Sequence, residues 1–123
     1  MNIEEQVLSI DQVRELQELG FDINKYASMC WAKLFDHNNF YRILNKEYAE
    51  YIELNDYIPT MTIGDIIEVL PTQIGEYELN INRRDVSYFD GRTNSPFYAY
   101  RYRFIDSLFD CLVWCIKEKH IEL

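Results

Sequence analysis

The stretch Phe104 to His120, FIDSLFDCLVWCIKEKH, constrains the fold more than any other. At 3.6 residues per turn, Asp106, Asp110 and Lys117 fall near one line. Nearly everything else is apolar: Ile105, Leu108, Phe109, Cys111, Leu112, Val113, Trp114, Cys115 and Ile116. One neighbouring helix cannot cover so wide an arc. The pattern predicts a helix lying against a sheet, with a further element on its flank. Asp106 in the first turn and Lys117, Lys119 and His120 at the end suit the helix dipole. Each large side chain buried here contributes roughly 1.5–3 kcal/mol before entropy is subtracted.

The chain has 123 residues, the size of one ordinary domain. With 48% hydrophobic and 27% charged residues, it has the balance of a folded globule and not of a disordered chain. No apolar run approaches the ~18 residues of a membrane helix. The opening MNIEEQVLSID is acidic and has no basic, apolar leader pattern, so a cytoplasmic location is the expectation. Three cysteines, Cys30, Cys111 and Cys115, sit among apolar neighbours and read as reduced core thiols. The net charge is −9 and uneven. Residues 1–80 hold 15 acids and 5 bases, and residues 81–123 hold 6 acids and 7 bases. Such a chain repels duplex nucleic acid at long range, although five arginines, Arg83, Arg84, Arg92, Arg101 and Arg103, cluster in its last third.

Ser9 reads as a helix cap, with Gln12 as its capping-box partner and Gly20 past the helix end. Ile10, Val13, Leu16 and Gln17 share one face of that helix. After a turn at FDIN, alternation predicts a strand from Tyr26 to Phe35, followed by a polar turn at Asp36-His37-Asn38-Asn39. Residues 40–58 fit either a helix, through Tyr41, Leu44, Tyr48, Tyr51 and Ile52, or a loop with one strand. Their Glu47, Glu50, Glu53 and Asp56 make an acidic surface, whose first reading is a solvated face. Pro59 closes the segment. Thr62, with Asp65 three positions on, caps a short helix that Pro71 stops; Ile63, Ile66, Ile67 and Leu70 are its expected buried face. Three strands follow as an antiparallel meander: Tyr77 to Asn82, Val86 to Phe89 and Phe97 to Arg103. In the first, Tyr77, Leu79 and Ile81 point inward. In the last, Tyr98, Tyr100 and Tyr102 share one face, opposite Phe97, Ala99, Arg101 and Arg103. The whole reads as a single α+β domain over residues 1–123. An antiparallel sheet of about four strands packs against a long C-terminal helix and two short helices.

No catalytic motif stands out. There is no P-loop, dinucleotide turn, GxSxG or CxxC, and with four glycines the chain is poor in phosphate-cradling loops. Cys111 and Cys115 share a helix face, but a soft metal needs more ligands. Only Cys30 and His120 are candidates by type, so the thiols read as packing. A nucleophilic thiol needs a base, and His37 and His120 have no orienting carboxylate pattern. Asp106 and Asp110 are the neatest carboxylate pair and read first as a solvated stripe. No catalytic, cofactor or metal residues are assigned.

The sharpest local feature is arginine interleaved with aromatics. Arg83, Arg84, Arg92, Tyr98, Tyr100, Arg101, Tyr102 and Arg103 form a candidate interaction surface. Aromatic platforms beside arginines bind single strands, and Tyr and Arg also anchor protein interfaces. The plain alternative is an ordinary sheet surface.

Four segments, LSIDQVRELQELGFDI, ASMCWAKL, IPTMTIGDIIEVLP and DSLFDCLVWCIKE, resemble in their order a family of small bacterial and phage-associated proteins common in Bacteroides-type genomes. They cover about half the chain and are mostly core and cap positions. The resemblance implies a phage or mobile-element setting and no catalytic residues.

The first reading is therefore a non-enzymatic, acidic interaction or regulatory protein. Its partner is another protein, not a membrane or nucleic acid, and homodimerisation stays open. The alternatives are a small enzyme or ligand-binding domain, with a pocket between sheet and C-terminal helix, and a sheet that binds single-stranded nucleic acid.

Overall fold

The computed structural model describes residues 2–33, 41–54 and 56–123. Among these the chain groups into two compact units, Met1–Asp65 and Ile66–Leu123, each with its own antiparallel sheet. The expected α+β class, antiparallel pairing and C-terminal helix are present. The strands lie in two sheets, of three and four strands.

The first unit opens with a 3-10 turn at Ile3–Glu5 and then helix α1, Ile10–Glu18. The capping box is formed as the sequence predicts. The Gln12 amide donates to Ser9 Oγ at 3.1 Å, and the Ser9 amide donates to Gln12 Oε1 at 2.9 Å. Past the C-cap Leu19, Gly20 takes φ +86°. The amides of Gly20 and Phe21 then return to the carbonyls of Gln17 and Leu16, a Schellman ending. A one-turn helix α2, Ile23–Tyr26, replaces the expected turn and strand start. Strand β1 accordingly begins only at Met29 and runs Met29–Lys33. The expected strand end at Leu34–Phe35 and the polar turn of residues 36–39 lie outside the described residues.

The ambiguous stretch contains three elements: β2, Tyr41–Asn45; helix α3, Lys46–Tyr51; and β3, Tyr57–Thr60. The sheet order is β2-β1-β3, with Cys30 opposite both Leu44 and Pro59. Pro59 therefore sits within a strand, where it was expected to end the undecided segment 40–58. The strand is an edge, where a missing amide proton is tolerated. One sheet face is closed by a small cluster, Cys30, Ala32 and Ala49, with Leu44, Leu54 and Tyr57 packed around it. Small side chains on β1 let α3 approach through Ala49. The N-terminal segment pairs alongside β3: the Leu8 amide donates to the Met61 carbonyl. The Leu8 carbonyl accepts from Thr60 Oγ1 at 2.7 Å and Trp31 Nε1 at 2.8 Å.

Helix α4, Ile63–Val69, straddles the boundary of the two units. Thr62 and Asp65 form its capping box, with both bonds at 3.0 Å. Ile66 and Leu70 are buried, but Ile67, expected inside, is exposed. So short a helix turns only a narrow stripe inward.

The second unit is a meander, β4-β5-β6-β7: Gln73–Ile74, Tyr77–Asn82, Asp85–Phe89 and Phe97–Tyr100. The two-residue β4 was not expected. The last strand stops at Tyr100, short of the predicted Arg103, because Ser107 Oγ takes the Arg101 amide at 2.8 Å and turns the chain into α5. Helix α5, Phe104–Lys117, packs on β6 and β7. Between helix and sheet, Trp114 stacks on Tyr88 at 5.8 Å and Phe97 at 5.2 Å. Ile81 was expected inside but is exposed: it lies on β5, one strand beyond the two that the helix covers.

Candidate interaction surface

Alternation along β6 and β7 sorts their residues cleanly. Val86, Tyr88 and Ala99 are buried on the helix side. On the opposite side the register sets Asn80, Ser87 and Tyr98 in one row, and Asn82, Asp85 and Tyr100 in the next. The three tyrosines stand open to solvent, with Tyr98 62%, Tyr100 55% and Tyr102 85% exposed.

The β5–β6 hairpin closes through the two residues Arg83 and Arg84. Arg83 takes φ +59°, the left-handed conformation that two-residue turns require. That turn aims Arg84 across the sheet end. Its guanidinium lies 5.4 Å from the Tyr100 ring centre and 5.7 Å from that of Tyr102. Its Nη1 also donates to the Tyr102 carbonyl at 3.2 Å. One cation thus fixes two otherwise solvent-swept rings. Beside them, desolvation, the Asp85 charge and a hydrogen bond to Asp85 hold the Tyr98 phenol above its ordinary pKa.

The other expected residues fare differently. Arg101 pairs with Asp110 at 3.1 Å, and Arg103 with Asp106 at 3.1 and 3.4 Å. These bonds engage the Asp106 and Asp110 carboxylates and neutralise two of the five arginines. Arg92 follows β6, whereas Arg83 and Arg84 precede it, so Arg92 stands at the opposite end of that strand. Its amide donates to Asp90 Oδ1 at 2.8 Å in the β6–β7 loop. The structure therefore gathers Arg84, Tyr100 and Tyr102, with Tyr98 one position along, and separates Arg92 from them. Asp85, Asn80 and Asn82 share the face and were not singled out from sequence. Their alternation with Val86 and Ile81 was the available signal.

Near the Arg92 end lies an open recess of about 530 Å³ lined by Glu76, Glu78, Asn80, Phe89 and Asp90. Among the described residues, no group of three or more His, Cys, Asp or Glu side chains is placed to hold a metal. Cys111 and Cys115 are buried under the sheet, where the Cys115 thiol lies 3.7 Å from the Tyr88 hydroxyl. That hydroxyl donates to the Pro71 carbonyl at 2.7 Å. The hydrogen bond to Cys115 and burial both push the Cys111 thiol up. These groups fill space and satisfy one another.

Fold and surface together define an α+β protein that presents a tyrosine–arginine sheet face. No family model, curated protein or solved structure matches the chain. No helix among the described residues is long and apolar enough to cross a membrane.

Proposed function

We propose that the chain is a non-enzymatic protein-interaction domain, and that Tyr98, Tyr100, Tyr102 and Arg84 form its contact face. The observation that carries this reading is the placement of Arg84 over two exposed tyrosines, Tyr100 on the sheet face and Tyr102 just past the end of its strand. Tyrosine and arginine dominate binding energy in interface centres. Rings already held in place lose less rotamer entropy on docking than free ones. A regulatory role, in the phage or mobile-element setting that the resemblance implies, belongs to the same proposal.

Two observations rank the alternatives lower. A nucleic-acid face needs uncompensated cations, but Arg101 and Arg103 are paired with carboxylates and the chain carries −9 overall. A ligand pocket between sheet and C-terminal helix needs space that Tyr88, Phe97, Trp114 and Cys115 occupy.

The test is affinity capture of the tagged full chain from its own cells, run beside Tyr100→Ala and Arg84→Ala. The expected result is a stoichiometric protein partner whose affinity falls about tenfold or more in either variant. A partner retained equally by both variants overturns the assignment of this face. Capture of nucleic acid that is released by moderate salt overturns the class of partner.

A further inference from the structure

We infer that the chain has a second docking surface, on α3, and that its occupant is a basic, amphipathic segment of another protein. Within seven consecutive residues, Glu47 to Glu53, six side chains are exposed. Three are large and apolar or aromatic: Tyr48 at 53%, Tyr51 at 84% and Ile52 at 43%. The other three are the carboxylates of Glu47, Glu50 and Glu53. Only Ala49 turns inward, into the cluster with Cys30 and Ala32.

The helix is pinned at both ends and presents these groups on a fixed frame. At the start, Asn45 Oδ1 accepts the Tyr48 amide at 3.2 Å, and the Lys46 amide donates to the Ser28 carbonyl at 3.0 Å. Lys46 Nζ donates to the Asn24 carbonyl at 2.7 Å. At the end, the Leu54 amide returns to the Ala49 carbonyl at 3.0 Å, and the Leu54 side chain packs against the same cluster. A six-residue helix is not stable by itself, so the tertiary frame holds the patch in place.

Large apolar side chains scattered singly over a surface need no explanation, but a contiguous group marks an interaction site. Charge selects the occupant. Among the described residues Glu47 and Glu53 have no cation within ion-pair distance, and Glu50 meets only Lys46, at 4.0 Å. Residues 1–65 hold 12 acidic and 5 basic side chains, so the field around the patch is negative well beyond α3. An anionic membrane and a second copy of a −9 chain are both repelled. Lysine or arginine side chains beside leucine-type anchors match both halves of the patch: cations to the three glutamates, apolar groups to the two tyrosines and Ile52.

The probe is a fluorescent synthetic helical peptide of leucine and lysine, titrated with the full chain at low and moderate salt. Binding is expected, weakening with salt. Tyr51→Ala should lower affinity about tenfold, and Glu47→Lys with Glu50→Lys should lower it further and flatten the salt dependence. Glu15→Lys with Glu18→Lys makes the same charge change on the exposed side of α1 and should alter affinity less than about threefold. Tyr100→Ala, which tests the sheet face, should leave peptide binding unchanged. All these side chains are exposed, and circular dichroism confirms that each variant folds. Absence of binding overturns the inference, as does equal loss in the α1 and α3 variants, which would mean non-specific attraction. A dimer abolished by Tyr51→Ala would assign the patch to a second copy and also overturn it.

Discussion

Tyr88 is held from three sides. Its ring meets Trp114, its hydroxyl donates to the Pro71 carbonyl, and the Cys115 thiol approaches the same oxygen. The side chain is fully buried, so the hydroxyl is tolerated only because it is paired. Tyr88→Phe keeps the ring contact but strips a partner from a carbonyl and a thiol. It should cost about 1–2 kcal/mol, read as a lower urea midpoint with an unchanged slope. An unchanged midpoint would show that water replaces the hydroxyl without loss. At the same scale, the shared face of Tyr98 and Tyr100 was legible from residue alternation, but alternation alone did not say that this face is the outward one, nor that Tyr88 points inward. The placement of Arg84 was not legible, because its partners lie 16 and 18 positions along the chain. Nor was the Arg101–Asp110 pair, which forms only once the strand turns back as a helix.

Among elements, α1, α4 and α5 were readable because their signals are local: a cap with its partner three residues on for α1 and α4, and a wide apolar arc with suited end charges for α5. Asp65 shows the limit of such signals. Its spacing to Thr62 announced the capping box, yet the same Oδ2 also takes the Ser28 amide at 3.1 Å and the Ser28 hydroxyl at 2.6 Å. These bonds tie the first turn of α4 to the start of β1 across 37 positions. Asp65→Ala should therefore cost about 2 kcal/mol, roughly twice Thr62→Ala, in thermal melts followed by circular dichroism. Equal losses would mean that the Ser28 bonds add nothing. Residues 40–58 resisted reading for a different reason. Their tyrosines fit a helical face and a strand face alike, and the short α3 depends on Ala49 reaching Cys30 and Ala32, which no local pattern reports. The division into two sheets was equally hidden, since alternation places a strand but does not choose its neighbour.

At the scale of the whole molecule, two acidic protons matter together. The hydrogen bond between Cys111 and Cys115 raises the pKa of Cys111 and lowers that of Cys115, so those two shifts offset each other; burial raises the pKa of Cys30, and burial with the hydrogen bond to Cys115 raises that of Tyr88. Cys30 and Tyr88 each keep their proton when folded and release it near its ordinary value when unfolded, about 8.5 for cysteine and 10 for tyrosine. The unfolded state then binds fewer protons at alkaline pH, so stability is complete below these values and falls above them. The melting temperature should be flat up to about pH 8 and decline beyond about pH 9. Each ionised group contributes about 1.4 kcal/mol per pH unit. A flat profile to about pH 10.5 would contradict the burial of these groups.

The free cysteines also give the molecule a built-in clock. Cys30 belongs to one compact unit, and Cys111 and Cys115 to the other, and none reaches solvent in the folded chain. A small alkylating reagent can therefore mark a cysteine only during an opening of the unit that holds it. The labelling rate at residue 30, set against that at residues 111 and 115, reports whether the two halves breathe together or one at a time, with no probe added and no residue changed.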